Sequence, residues 1–317
     1  MRANSSNNLT FSTKKMKNFK GRTAVITGAA SGFGREFARI GQRLGMNLVL
    51  ADVQQDALDR ARIELEAQGA QVLAVRVDVS KAAEIESLAD ATLKRFGVPS
   101  LVFNNAGVGG TGGLLWENSV RDWEWVIGVN LWGVIHGARV FTPLMLEAAK
   151  KDPGFEGHMV NTASMAGLLT PPNMSVYNVT KHAVVALTET LYQDLRLVTG
   201  QVGCSVLCPY FVPTGIYQSE RNRPVDLADD APLTPSQKIA REMGQKAVSS
   251  GKVTAAQVAE ATFEAVASGQ FYIFSHPNAL GNVETRMRAI LDIRNPPDPY
   301  AARPEVGEKL RAQLRGS

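Results

Sequence analysis

Thr23-Ala-Val-Ile-Thr27-Gly28-Ala-Ala-Ser31-Gly32-Phe33-Gly34 announces the architecture of this chain. The first five residues form a short apolar run that reads as a buried strand, and a helical pattern runs from Arg35 to Leu44. Strand, glycine turn and helix in this order let backbone N–H groups and a helix N-terminus hold a pyrophosphate. Gly28 permits the tight turn, Gly32 the close approach of phosphate, and Gly34 the close packing of helix on strand. Ser31 and Phe33 complete the loop, so Gly28, Ser31, Gly32, Phe33 and Gly34 are candidate cofactor-binding residues.

Working outward, Asn47-Leu-Val-Leu-Ala-Asp52 makes a second strand that ends in a carboxylate. Asp52 lies 24 residues beyond Gly28, close to the spacing at which an acid reaches the hydroxyls of an adenosine ribose. Its alternative role is to cap the helix that starts near Gln55. That helix runs to Gln68, a third strand (Gln71 to Val77) ends at Asp78-Val79, and a helix from Lys81 to Phe96 leads to a fourth strand, Ser100 to Asn104. This alternation predicts an α/β fold: one domain with a doubly wound parallel sheet of about seven strands and helices on both faces. The fourth strand closes in Asn104-Asn105-Ala106-Gly107.

Farther along, Tyr177-Asn-Val-Thr-Lys181 places a phenol and an ammonium on one face of a helix, one turn apart. Pro171-Pro172, Asn173 and Ser175 precede it, and an apolar stripe from Ala183 to Leu197 is expected to close at Gly200. A free phenol titrates near 10 and is a poor base at neutral pH, whereas a neighbouring ammonium favours the phenolate.

Composition narrows the class. The 317 residues carry a formal net charge of +4 with both signs interspersed, which is no nucleic-acid footprint. Two cysteines, Cys204 and Cys208, fall in one expected strand, roughly 13 Å apart and too far for a disulfide. Paired with the absence of any long apolar run or secretory segment, they predict a cytoplasmic protein without membrane or nucleic-acid partners. The four histidines are scattered without zinc-like spacing, so no metal is expected. Trp116, Trp123, Trp125 and Trp132 read as core and helix packing.

Thr-Gly-x-x-x-Gly-x-Gly, then Asn-Asn-Ala-Gly, then Tyr-x-x-x-Lys resembles the short-chain dehydrogenase/reductase family, in its ordinary soluble branch, over about Lys20 to Ser275. The resemblance implies a nicotinamide-dependent oxidoreductase interconverting a secondary alcohol and a ketone. It implies Tyr177 as general acid and base, Ser164 as the holder of the substrate oxygen, Lys181 as the group that lowers the tyrosine pKa and anchors the nicotinamide ribose, and Asn130 as the holder of a relay water. Ser164 precedes Tyr177 by 13 residues, as in the family. The positive ring of an oxidised nicotinamide adds to the effect of Lys181. Lowering the phenol by roughly 2.5 units needs about 3.4 kcal/mol. For the cofactor it implies contacts from Asp78, Val79, Asn105, Ala106, Gly107, Tyr177, Lys181, Pro209, Val212 and Thr214. Tyr210 departs from the usual Pro-Gly after the sixth strand. Asp52, with Ser31 rather than a basic residue in the glycine loop, favours NAD over NADP. The alternatives are an NADPH-dependent ketone or oxoacyl-thioester reductase and a non-catalytic cofactor sensor. A homodimer or homotetramer acting on a small molecule is implied by resemblance alone.

Outside these motifs the local signals are weaker. Residues 1–19 read as an unstructured leader, with Met1 to Lys15 an upstream extension, a misassigned start or a weak targeting signal. The catalytic domain covers 20–280. Within it, the polar, proline-containing stretch 215–250, with a helix from Ser236 to Ala247, is a lid or a surface excursion rooted on Tyr210, Phe211, Ile216 and Tyr217. A lid closing over these residues points to a hydrophobic or aromatic substrate. Residues 281–317 form an amphipathic helix (Gly281 to Ile293) and then a loosely attached or subunit-contacting tail.

Overall fold

The computed structural model describes residues 15–229 and 231–315. Seven strands alternate with helices: β1 (Thr23–Thr27), α1 (Gly32–Arg43), β2 (Asn47–Asp52), α2 (Gln55–Ala67), β3 (Val72–Arg76), α3 (Ala82–Phe96), β4 (Leu101–Asn104), α4 (Val120–Ile127) and α5 (Gly133–Lys151). They continue through β5 (Gly157–Thr162), α6 (Ser175–Val198), β6 (Val202–Cys208), α7 (Pro235–Ser249), α8 (Ala255–Ser268), β7 (Tyr272–Phe274), α9 (Leu280–Leu291) and α10 (Pro304–Arg315). All pairings are parallel, in the order β3-β2-β1-β4-β5-β6-β7. The expected doubly wound sheet is therefore present. Its winding reverses between β1 and β4, whose carboxyl ends flank the crevice where ligands bind in such sheets.

The strands are apolar on both faces because helices cover both. Ala24, Ile26, Leu48, Leu50, Leu101 and Phe103 pack with Phe37, Leu58, Leu65 and Phe263 on one side. Val25, Val49, Ala51, Val102 and Met159 pack with Ile85, Leu88, Phe141 and Met145 on the other. Phe37 stacks on Phe103 at 4.3 Å, which locks α1 over the sheet.

Four sequence expectations need correction. The helix α1 begins at Gly32, not Arg35, so its first N–H groups belong to the glycine turn itself. Gly200 is not a left-handed cap: α6 ends at Val198, and Thr199 returns the chain to extended geometry. The leader cannot reach residue 19. Met16 is 1 % exposed in the core, and the Phe19 ring meets Phe263 at 5.5 Å, because both pack into the apolar cluster that α1 and α8 form over the sheet. Residues 1–14 of that expected leader lie outside the described residues. Finally, the tail contains a further helix, α10, with Leu310 buried. Val306, Leu310 and Leu314, spaced by four, are the stripe that predicts it in hindsight.

Of the tryptophans, only Trp125 is core; Trp116 and Trp132 are exposed, the latter stacked on His136.

Candidate active site

The turn between β1 and α1 shows why three glycines are needed. Gly28 has φ +66°, and a Cβ there would lie 2.9 Å from the Cα of Ala106. A Cβ on Gly34 would sit 2.2 Å from the Gly28 carbonyl oxygen, so α1 rests directly on the turn. Gly32, also left-handed at φ +54°, would meet only the Thr214 side chain, 3.6 Å away. Ser31 is the N-cap residue of α1 but its side chain caps no N–H. The leading N–H groups of the helix are thereby left to the cleft, with the dipole favouring an anion. This donor set fits a pyrophosphate.

One continuous cleft is lined by Gly28, Ser31, Gly32, Phe33, Asp52, Asp78, Val79, Asn105, Ala106, Gly107, Ser164, Tyr177, Lys181, Pro209, Val212 and Thr214. Gly34 and Asn130 are not part of its wall. They stand one layer behind, Gly34 under the turn and Asn130 wholly buried. The Asp52 carboxylate accepts from the N–H of Ala30 (3.0 Å) and of Gln54 (3.0 Å), joining the glycine turn to the end of β2. It does not cap α2, whose N-cap is Gln54. Arg76 is its register partner on β3 and is exposed on the same cleft. Arg35 is turned away onto Glu64 at 2.5 Å.

Thr27 and Asn105 fasten the ends of β1 and β4. The Thr27 hydroxyl donates to the Phe103 carbonyl (3.2 Å) and accepts from Asn105 N–H (2.9 Å) and Ala106 N–H (3.1 Å). Asn105 Nδ2 donates to the Thr27 carbonyl at 3.0 Å. Behind them, Asn104 Nδ2 donates to Asn161 (2.8 Å), and Asn161 Nδ2 to the Thr188 hydroxyl (3.1 Å). This buried chain ties β4 and β5 to α6, the helix that carries Tyr177 and Lys181.

Ser164 comes after β5 in extended conformation, its hydroxyl accepting from Ala166 N–H (3.1 Å) and donating to the Pro209 carbonyl (3.3 Å). Lys181 is buried and donates to the Thr162 carbonyl at 2.9 Å, with its Nζ 5.5 Å from the centre of the Tyr177 ring. Burial dominates both groups. It pushes the Tyr177 phenol up to about 12 against a hydrogen bond with Ser164, and the Lys181 ammonium down to about 8. The protein surroundings thus raise the phenol, whereas the expected lowering drew on the charge of an oxidised nicotinamide as well as on Lys181.

Asn130 lies in a π-turn, Gly128–Trp132, that joins α4 to α5 without a break. Its Oδ1 accepts from Val108 N–H (2.8 Å) and its Nδ2 donates to the Val108 carbonyl (2.9 Å). The side chain therefore staples the loop after β4 to the helix that flanks it.

The described residues of segment 215–250 dock against the glycine-rich loop after β4. Gly109 N–H donates to Ser219 (2.9 Å), and Leu114 N–H donates to Ser236 (2.9 Å). Glu117 accepts from the hydroxyls of Thr234 (2.5 Å) and Ser236. A Cβ on Gly113 would lie 2.6 Å from Gln237 Cγ, so glycine there is the condition for the α7 N-terminus to approach. Arg223 and Asp122 form an ion pair at 2.8 Å, with side chains only 6 % and 4 % exposed, under the Trp125 ring. Sequence reading missed this pair. The Ser119-x-x-Asp122 capping box was legible, but nothing in it named a partner 101 residues away.

Among the described residues no helix is long and apolar enough to cross a membrane. Residues 22–224 match the family model for short chain dehydrogenases. A crystal structure of a short chain dehydrogenase/reductase from Burkholderia phymatum in complex with NAD is similar at 56 % identity and a TM-score of 0.87, covering 90 % of this chain and 99 % of that one. A 1-deoxy-11-beta-hydroxypentalenate dehydrogenase of Streptomyces exfoliatus is 37 % identical over 259 residues, 81 % of this chain and 84 % of that protein. A CLA biosynthesis dehydrogenase/reductase of Lactiplantibacillus plantarum is 32 % identical over 279 residues, 87 % of this chain and 95 % of that protein.

Proposed function

The chain belongs to the short-chain dehydrogenase/reductase family and is an NAD(P)-dependent oxidoreductase, and from that premise we propose that it uses NAD to interconvert a secondary alcohol and a ketone on a substrate with a hydrophobic or aromatic body. The observation that carries this reading is a single cleft running from the Gly28–Phe33 turn, past Asp52, to Ser164, Tyr177 and Lys181. In it the turn's N–H groups hold the pyrophosphate and Asp52 holds the adenosine ribose hydroxyls. Bound NAD supplies the hydride acceptor and, when oxidised, a positive charge. Ser164 holds the substrate oxygen, and Tyr177 takes the hydroxyl proton in oxidation or gives it back in reduction. Lys181, fixed by the Thr162 carbonyl, anchors the nicotinamide ribose and contributes the cation nearest the phenol. Asn130 acts from behind, by holding the Val108 segment of the wall in place. The apolar substrate walls come from Tyr210, Phe211, Ile216 and Tyr217, and the docked 215–250 segment serves as the lid. The similarity to an NAD-bound relative supports the choice of cofactor.

A second reading, NADP dependence, is favoured by Arg76, which stands beside Asp52 on the cleft. Asp52 is the nearer expectation because its carboxylate is fixed by two backbone N–H groups. The test is a panel of bulky secondary alcohols monitored by NADH absorbance in wild type and Tyr177→Phe. Turnover falls at least about 10²-fold in the variant, the scale of a lost acid–base group. Undiminished turnover would remove Tyr177 from the chemistry.

A further inference from the structure

The C-terminal helix α9 lays one face along the cleft: Asn282, Thr285, Arg286, Ala289 and Ile290, at the spacing of a single helical stripe. Leu280 and Val283, on the flank beside that stripe, pack against the same core cluster as Leu168 and Leu169. This seats the helix against the turn that begins at Ser164. Arg286 reaches across to that turn, its Nη1 lying 3.4 Å from the Leu168 carbonyl oxygen.

Burial, not pairing alone, sets this residue apart, because Arg303 and Lys309 also lack an ion pair among the described residues but are exposed. Arg288 pairs with Glu284, Arg294 with Asp292, and Arg311 with Asp298, and all three arginines are exposed. Arg286 is partly buried and makes no ion pair among the described residues. A guanidinium carries five N–H donors in a planar fork, and here one of them makes a single long bond to a carbonyl. Such a group, half removed from water on the wall of a cleft, is set to receive a carboxylate in bidentate fashion.

Position fixes the kind of molecule. Leu168 is four residues beyond Ser164, so the guanidinium lies at most roughly 20 Å from the Ser164 backbone. The intervening helical turn makes the separation shorter. Met165, Leu169 and Tyr210 line the same cleft.

We propose that Arg286 is a specificity-determining residue that binds the carboxylate of an amphipathic hydroxy acid, whose apolar body separates the acid from the carbinol at Ser164 and Tyr177. The proposal rests on the alcohol–ketone reading above. It names the substrate class as a secondary alcohol with a remote carboxylate.

The probes are 4-(1-hydroxyethyl)benzoate and 12-hydroxyoctadecanoate, each beside its methyl ester. NADH formation is read for wild type, Arg286→Gln and Arg286→Lys, and calorimetry reads acid binding to the NAD-loaded enzyme. At least one acid is oxidised with a kcat/KM about thirtyfold or more above its ester. Arg286→Gln abolishes that advantage through KM, leaves the ester unchanged, and retains the wild-type melting temperature; Arg286→Lys restores part of it. A factor of this size is that of one hydrogen-bonded charge pair. Acid and ester used equally by wild type, or both affected equally by Arg286→Gln, would overturn the anion site and leave the oxidoreductase reading standing. No binding of either acid, or binding indifferent to Arg286, would overturn it as well. Arg286-dependent binding without turnover of any probe would keep the anion site and count instead against the alcohol–ketone reading.

Discussion

On the proposed reading that Asp52 selects NAD, replacing it with alanine should shift cofactor use towards NADP. A 2′-phosphate placed about 5 Å from the Asp52 carboxylate, at an effective dielectric near 20, is repelled by roughly 3 kcal/mol per unit charge, or about a hundredfold. Arg76 works against this. Its backbone is the register neighbour of Asp52, about 4.8 Å across the sheet. Its exposed side chain is more strongly screened, so it offsets only part of the repulsion. Arg35 adds little, being held by Glu64. The wild-type ratio of kcat/KM for NAD over NADP should therefore lie near 10² or somewhat below. It should fall by about that factor in Asp52→Ala, where Arg76 is left unopposed. Arg76→Ala should raise it by up to about tenfold. Because Asp52 also accepts from Ala30 and Gln54, Asp52→Ala loses stability too. Asp52→Asn, which keeps one acceptor oxygen without the charge, separates the two effects. Initial rates with both cofactors at a fixed alcohol, with melting curves for each variant, make the measurement. A wild-type preference for NADP, or a ratio that neither Asp52 substitution moves, would refute the reasoning.

Three further outcomes are expected. The phenol of Tyr177 is pushed up to about 12 by burial, so the basic form grows with pH throughout the working range. Alcohol oxidation should accelerate steadily between about pH 7 and 9 while ketone reduction does not, and a flat oxidation profile would contradict this. His158 is buried, donates through Nε2 to Ser205, and is held down to about 4 by desolvation. Since the unfolded chain binds that proton near 6.5, stability should be unaffected above about pH 6.5 and fall by up to about 3 kcal/mol as the pH drops to about 4. Chemical denaturation of His158→Gln, if it shows the same acid loss, would place the cause elsewhere. Met16→Ala and Phe19→Ala should each cost about 2–4 kcal/mol, the range for emptied core sites; calorimetry finding both neutral would mean that this segment does not pack on α1 and α8.

How much of this was readable beforehand depended on sequence distance. The sheet was legible because each parallel strand is a short apolar run and each turn is marked by glycine, and both signals are local. The Gly28–Gly34 turn, Asp52, Asn105, Ser164, Tyr177 and Lys181 could be named because their residue types are dictated by backbone geometry or by reactivity. The features that escaped depend on partners far along the chain. Arg223 finds Asp122 across 101 positions and Arg286 meets Leu168 across 118. Met16 and Phe19 looked like leader because their neighbours are polar; only the apolar cluster that α1 and α8 form over the sheet gives them a place. The burial of Tyr177 was hidden for a related reason: a charge one turn away is visible in sequence, whereas the depth that pushes the phenol up is not.

The π-turn at Gly128–Trp132 makes α4 and α5 a single rod, from Val120 to Lys151, with its two halves out of phase. One residue more than an α-helix needs rotates the second half of the rod by about 100°. Ahead of the turn, Trp125 and Val126 face Val108 and Val176 beside the cleft; beyond it, Phe141 and Met145 face the sheet. Insertions and deletions here are consequently quantised. Loss of one residue between 128 and 132 would restore an even helical pitch and swing one half out of contact with its partner. Loss of a full turn would shorten the rod and keep both faces. This short segment is thus intolerant of single-residue length change while remaining entirely helical, a property usually associated with tight turns.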